Sequence, residues 1–119
     1  MDLIADTSLL VGLWRKQSWA VDFARNNSSL ILGLPWIVLG EFWHGAKRAG
    51  HDERKVEEFL RIGLPLYDTE LVIQNYAKVC AEAQSEGFYG EIGQNDLWIA
   101  AVSICYQLPL VSCNIQSFG

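Results

Sequence analysis

Short, almost wholly apolar runs alternate along this chain with longer stretches in which apolar residues return every three or four positions. The short runs read as buried strands: Leu3–Ala5, Leu30–Leu32, Leu64–Tyr67 and Leu108–Ser112. Gly33 and Pro35 are expected to stop the second of them. The longer stretches read as helices. The first follows the capping hydroxyls of Thr7 and Ser8 and reaches Arg25, with apolar residues at 9, 10, 13, 14, 21 and 24. A turn at 26–29 separates it from the second strand. The next helix runs from Trp36 to Ala49 and closes at Gly50. A charged helix over Asp52 to Ile62 sets Arg54 with Glu58, and Glu57 with Arg61, at i,i+4 spacing. Asp68 and Thr69 are expected to cap a long helix from Glu70 to Ser85. The glycine-bearing segment 87–93 reads as a loop, and a last helix starts at Gln94 or Asn95 and ends at Tyr106. Apolar strands alternating with helices predict an α/β fold with a short-stranded parallel sheet covered on both faces.

Length adds that residues 1–119 form one domain, large enough for a real core. Half the residues are apolar and five are Trp, which excludes a disordered chain. The apolar runs fall short of the roughly 18 residues of a membrane span. Met1-Asp2-Leu3-Ile4 carries neither a basic leader nor a small-residue cleavage site, so no export signal is expected. Cys80, Cys105 and Cys113 lack zinc-ligand spacing and read as reduced thiols of a cytoplasmic protein. A net charge of −5 argues against a protein that coats nucleic acid by neutralising phosphates. It leaves room for one that acts on phosphates through a bound metal, whose charge the formula omits.

Three carboxylates interrupt apolar segments: Asp6 in Leu3–Leu10, Glu41 in Val38–Trp43 and Asp96 in Asn95–Ala100. None has Lys or Arg within four residues, and only His44 offers Glu41 a local cationic partner. Carboxylates near a core are costly unless paired or bound to a metal, and clustered like charges call for a cation. A hard divalent ion with oxygen ligands, Mg²⁺ or Mn²⁺, suits such a cluster. In open parallel sheets ligands bind beyond the carboxyl ends of the strands. Asp6 ends the first strand, Asn114 follows the last by two residues, and Asp96 falls in the first turn of its helix. Glu41 lies a turn and a half into its helix, on a surface expected to carry Trp36, Leu39 and Trp43. Each residue also has an ordinary reading. Asp6 is a helix cap, Asp96 a dipole-stabilising acid, Glu41 a solvated side chain and Asn114 a turn residue.

Four segments, in order and at fitting spacing, resemble the PIN domains, and among them the VapC-type toxin ribonucleases of toxin–antitoxin pairs. They are Leu3-Ile4-Ala5-Asp6-Thr7-Ser8, Val38-Leu39-Gly40-Glu41-Phe42-Trp43-His44-Gly45-Ala46, Ile92 through Ala101, and Leu110 through Phe118. The resemblance implies a three-layer α/β/α sandwich around a parallel sheet and Mg²⁺- or Mn²⁺-dependent cleavage of RNA. It matches Asp6 and Asp96 to metal-binding acids, Glu41 to a third acid, and Asn114 to the polar corner after the last strand. Thr7 and Ser8 then serve to orient an acid. It further implies a cognate antitoxin protein and a homodimer. The chain departs from the family in having Cys113 where a basic residue is usual and Ser117 where an acid is frequent.

An alternative is a catalytically weak PIN-like module that binds RNA or a partner protein, with Trp36, Trp43 and His44 near a groove. A haloacid-type hydrolase is disfavoured because Ser8 stands where a second Asp is needed. Gly87, Gly90 and Gly93 follow no strand, which excludes a dinucleotide loop.

Overall fold

The computed structural model describes residues 1–67, 70–87 and 89–112. The expected caps Asp68 and Thr69, together with Cys113, Asn114 and Ser117, lie outside the described residues. The elements run β1 (Leu3–Ala5), α1 (Thr7–Trp14), α2 (Ser18–Asn26), β2 (Leu32–Pro35), α3 (Trp36–Ala49), α4 (Glu53–Leu60), β3 (Gly63–Leu66), α5 (Glu70–Ser85), a single 3-10 turn (Tyr89–Glu91), α6 (Gln94–Tyr106) and β4 (Leu110–Val111). The four strands pair in parallel in the order β3-β2-β1-β4. Neighbouring residues of a strand face opposite sides of a sheet. Ile4 and Ala5 are both fully buried, and the run Gly33-Leu34-Pro35 is buried throughout. Both faces are therefore covered over β1 and β2, as the apolar strands predict, while Leu64 and Pro65 of the edge strand β3 are exposed. The fold is α/β around a central parallel sheet.

Several boundaries differ from the sequence reading, and three of the differences have a clear local reason. The expected helix to Arg25 is two helices, broken where Lys16 takes a left-handed φ of 57°. The chain folds back there so that Trp19 and Ala20 pack on Gly12, a contact that periodicity does not reveal. The second strand begins at Leu32 and keeps Gly33 and Pro35, because Leu32 and Gly33 register against Leu3 and Ile4. Gly33 lies in the sheet where a Cβ would come within 2.6 Å of the Met1 sulfur, so it marks a close approach and not a stop. The cap of α1 is Asp6, not Thr7 or Ser8.

The helix ends fit more closely than the strands, the last of which shrinks to Leu110–Val111. α3 ends at Gly50 in the left-handed conformation (φ 72°) that a glycine C-cap supplies. α4 is capped by Asp52, which accepts the Arg54 N–H at 3.0 Å. Its expected i,i+4 ion pairs do not close; Lys47 instead reaches Glu53 at 2.8 Å. The five tryptophans are half-buried at the edge of the core, not inside it.

Candidate active site

β1 is flanked by β2 on one side and β4 on the other, and the chain reaches these two neighbours in opposite directions. Such a reversal opens a crevice at the carboxyl ends of the strands, where α/β proteins bind their ligands. Asp6 stands at that point. Its N–H donates to the Val111 carbonyl at 3.0 Å, which fixes the backbone beyond the last rung of the β1–β4 ladder. A cavity of about 350 Å³ opens here, with Asp6, Glu91, Asp96 and Ser112 among its lining.

The Asp6 side chain turns onto the start of α1. One oxygen accepts the Thr7 N–H at 2.7 Å, and the other accepts the Ser8 hydroxyl at 3.2 Å. Both bonds follow from chain direction, since the first N–H groups of a helix lack partners inside it. The Thr7 hydroxyl points the other way and donates to Glu41 Oε1 at 2.8 Å, across 34 positions of sequence. A single residue therefore ties two carboxylates together, one by its backbone and one by its side chain.

Asp96 faces them from the first turn of α6. Its charge and that of Glu41 are both felt at Asp6. The Asp6 carboxyl is held above its ordinary range, chiefly because burial disfavours its charged form. The Thr7 and Ser8 hydrogen bonds oppose that shift, and repulsion from Asp96 and Glu41 adds to it. Asp6 and Glu41 are half-buried and Asp96 is exposed, so Asp96 is less enclosed than its apolar neighbours suggest.

Aromatic packing joins the helices that carry Glu41 and Asp96. Trp36 of α3 lies 5.8 Å from Trp98 of α6, and Trp98 stacks on Tyr76 of α5 at 3.7 Å with nearly parallel planes. Glu41 shares its hollow with Trp36, as expected, while Leu39 and Trp43 border a different one beside β3 and α4.

The structure thus gathers Asp6, Glu41, Asp96, Thr7 and Ser8 from the residues singled out in the sequence. Asn114 lies outside the described residues. Two lining groups lie outside those candidates: Glu91, an acid in the glycine-bearing loop that its sequence marks only as loop surface, and Ser112, buried at 3 % exposure, whose sequence signal is no more than the end of a strand. A second hollow, bounded by Leu3, Phe23, Leu32 and Phe59, lies at the amino ends of the strands. No titratable group lines it, so it is not the chemical centre.

Among the described residues, no three His, Cys, Asp or Glu side chains are close enough to hold a metal ion as a ready-made set. The donors present are nevertheless all hard oxygens. Mg²⁺ commonly binds through one or two carboxylates while keeping several waters, so a closed protein cage is not required. A cation would also relieve the desolvation and repulsion that burden Asp6. The residues fit such an ion.

The sequence matches the PIN domain family model over residues 3–118. Among curated proteins, none matches it significantly. Several solved structures share its fold. VapBC2 from Rickettsia felis, bound to a DNA fragment from its promoter, aligns with a TM-score of 0.84 at 23% identity, covering 98% of this chain and 90% of that one. DNA-bound VapBC from Salmonella typhimurium aligns at 0.81 and 24% identity, covering 99% and 90%. FitAcB from Neisseria gonorrhoeae aligns at 0.69 and 25% identity, covering 91% and 84%. With the family model spanning nearly every residue, the chain belongs to the PIN domain family.

Proposed function

We propose that this protein is a divalent-metal-dependent endoribonuclease acting as the toxin of a toxin–antitoxin pair. The observation that carries the catalytic reading is the Thr7 link between Asp6 and Glu41, at a sheet edge where Asp96 faces Asp6. The toxin reading is supported by the likeness to chains solved as VapBC complexes and as FitAcB. It brings with it a cognate antitoxin, a homodimer and a cytoplasmic place of action. No helix among the described residues is long and apolar enough to cross a membrane.

Asp6 and Asp96 would hold the cation, Mg²⁺ or Mn²⁺, directly or through water, with Glu41 completing the acidic ring. When bound, the metal lowers the pKa of a coordinated water and offsets charge on the scissile phosphate. The chain's own contribution is orientation. The Thr7 N–H and the Ser8 hydroxyl fix both oxygens of Asp6, and the Thr7 hydroxyl fixes Glu41. Glu41 or Asp96 then positions the attacking water and accepts its proton. Asn114 is assigned the remaining polar corner.

The test is RNA cleavage by the purified chain in Mg²⁺ or Mn²⁺, with and without chelator. Asp6→Asn and Asp96→Asn should each lower the rate by at least about a hundredfold, since loss of a ligand should exceed loss of a supporting bond. Circular dichroism should be unchanged. Undiminished cleavage by Asp6→Asn overturns the assignment. A wild-type chain that binds RNA or a partner but cuts nothing in either metal supports the catalytically weak module instead.

A further inference from the structure

The acidic groups divide two hollows of different chemistry. The cavity on the α6 side is lined by Asp6, Glu91 and Asp96, with no cationic or amide side chain. It is a place for cations. The hollow on the α3 side, about 290 Å³, is lined by Trp36, Ile37, Gly40, Glu41, His44 and Asn95. It holds one carboxylate, already engaged by Thr7, beside an imidazole and an amide. Neither the His44 nor the Asn95 side chain has a hydrogen-bond partner among the described residues, and both residues are exposed. An imidazole offers an N–H in either protonation state, and an amide offers both a donor and an acceptor.

Gly40 is the second observation. It sits mid-helix in α3, where glycine is unfavourable, and its backbone needs no positive φ. A Cβ built there would meet nothing within 4 Å. Gly45 of the same helix is equally open, but only Gly40 lines this hollow, where its absent side chain leaves the helix backbone bare to close approach by a group from outside the chain.

We propose that this α3 hollow seats the nucleotide flanking the scissile phosphate of a single-stranded RNA substrate. His44 donates to its phosphate or ribose, Asn95 reads the edge of its base, and Gly40 lets the sugar or base lie against the helix. The hollow is open and shallow, with space of about 290 Å³ for one nucleotide lying against α3. The inference rests on the ribonuclease reading.

The experiment measures steady-state cleavage of a randomised single-stranded RNA pool in Mn²⁺ by the full chain. Wild type is compared with Gly40→Ala, His44→Gln and Asn95→Ala, with a melting curve for each. Gly40→Ala should melt no lower than wild type, because alanine favours the helix and meets no neighbour. It should nevertheless raise KM about fivefold to tenfold with kcat within twofold, the loss expected from displacing one good contact. His44→Gln should raise KM similarly. Asn95→Ala should change which base is preferred beside the cut. If wild type cleaves and all three variants match its KM and cleavage pattern, the subsite is refuted while the ribonuclease reading stands. If wild type cleaves no RNA, both fail together.

Discussion

Replacing Thr7 by Val separates the two jobs of this residue. Valine keeps the shape and the backbone N–H that Asp6 accepts, and removes only the hydroxyl that donates to Glu41 at 2.8 Å. A hydrogen bond to a charged group contributes about 1.5–3 kcal/mol to stability. Thr7 and Glu41 are half-buried, so solvent screening puts the figure at the lower end, about 1.5 kcal/mol. For a domain of 119 residues this lowers Tm by roughly 5 °C. The effect on cleavage should be larger, because Glu41 would no longer be held in one rotamer. Losses of about 10- to 100-fold follow removal of groups that orient metal-site ligands. Thr7→Ser keeps the hydroxyl and should restore most of both quantities. The assays are thermal melting and initial cleavage rates at fixed Mn²⁺. If Thr7→Val melts and cuts like wild type, or if Thr7→Ser fails as badly as Thr7→Val, the bridge does not organise the site.

Two further outcomes follow. Asp6 has a folded-state pKa above its ordinary value, about 3.9, so its protonated form is favoured by folding and its contribution to stability is lost as pH rises through the raised value. In chelator, Asp6→Asn should therefore gain stability relative to wild type as pH rises above the ordinary carboxylate value of about 4; a difference that stays flat or reverses contradicts the desolvation argument. Gly12→Ala would place a Cβ 2.8 Å from Trp19 Cζ2 and 2.9 Å from Ala20 Cβ. Overpacking of about 1–3 kcal/mol against a helix-propensity gain of about 1 kcal/mol predicts a net loss of about 1 kcal/mol, read by urea denaturation. A more stable Gly12→Ala would mean that α2 is not seated on α1 as described.

The order of elements was legible because each strand is a few apolar residues and each helix carries a period, a cap or a closing glycine. α3 ending at Gly50 is the clearest case. The α1–α2 break was not legible, since Lys16 and Gln17 are not breakers and the turn exists for the sake of Trp19 and Ala20 against Gly12. Gly33 misled for the opposite reason: glycine signals a stop as readily as it signals a crowded strand. The acids could be picked out because apolar neighbours make an isolated carboxylate conspicuous. Glu91, in a glycine-bearing loop with no continuous apolar run on either side, lacked that contrast. The connection through Thr7 could not be read at all, because which hydroxyl meets which acid across 34 positions depends on tertiary packing.

The structure also resolves an opposition that the sequence left standing, between Asp6 as a cap and Asp6 as a site residue. It is both, and the first makes the second possible. A carboxylate that capped nothing would be free to turn about its side-chain bonds, and repulsion from Glu41 and Asp96 would drive it toward solvent. Accepting from the first N–H of α1 and from Ser8 holds it in place against that repulsion. Asparagine is as good a cap as aspartate, so Asp6→Asn should preserve α1 while removing the charge. Loss of RNA cleavage without loss of helix content in that variant would separate the two roles. Loss of both would mean that the negative charge itself, and not the capping geometry, holds the start of α1 in place.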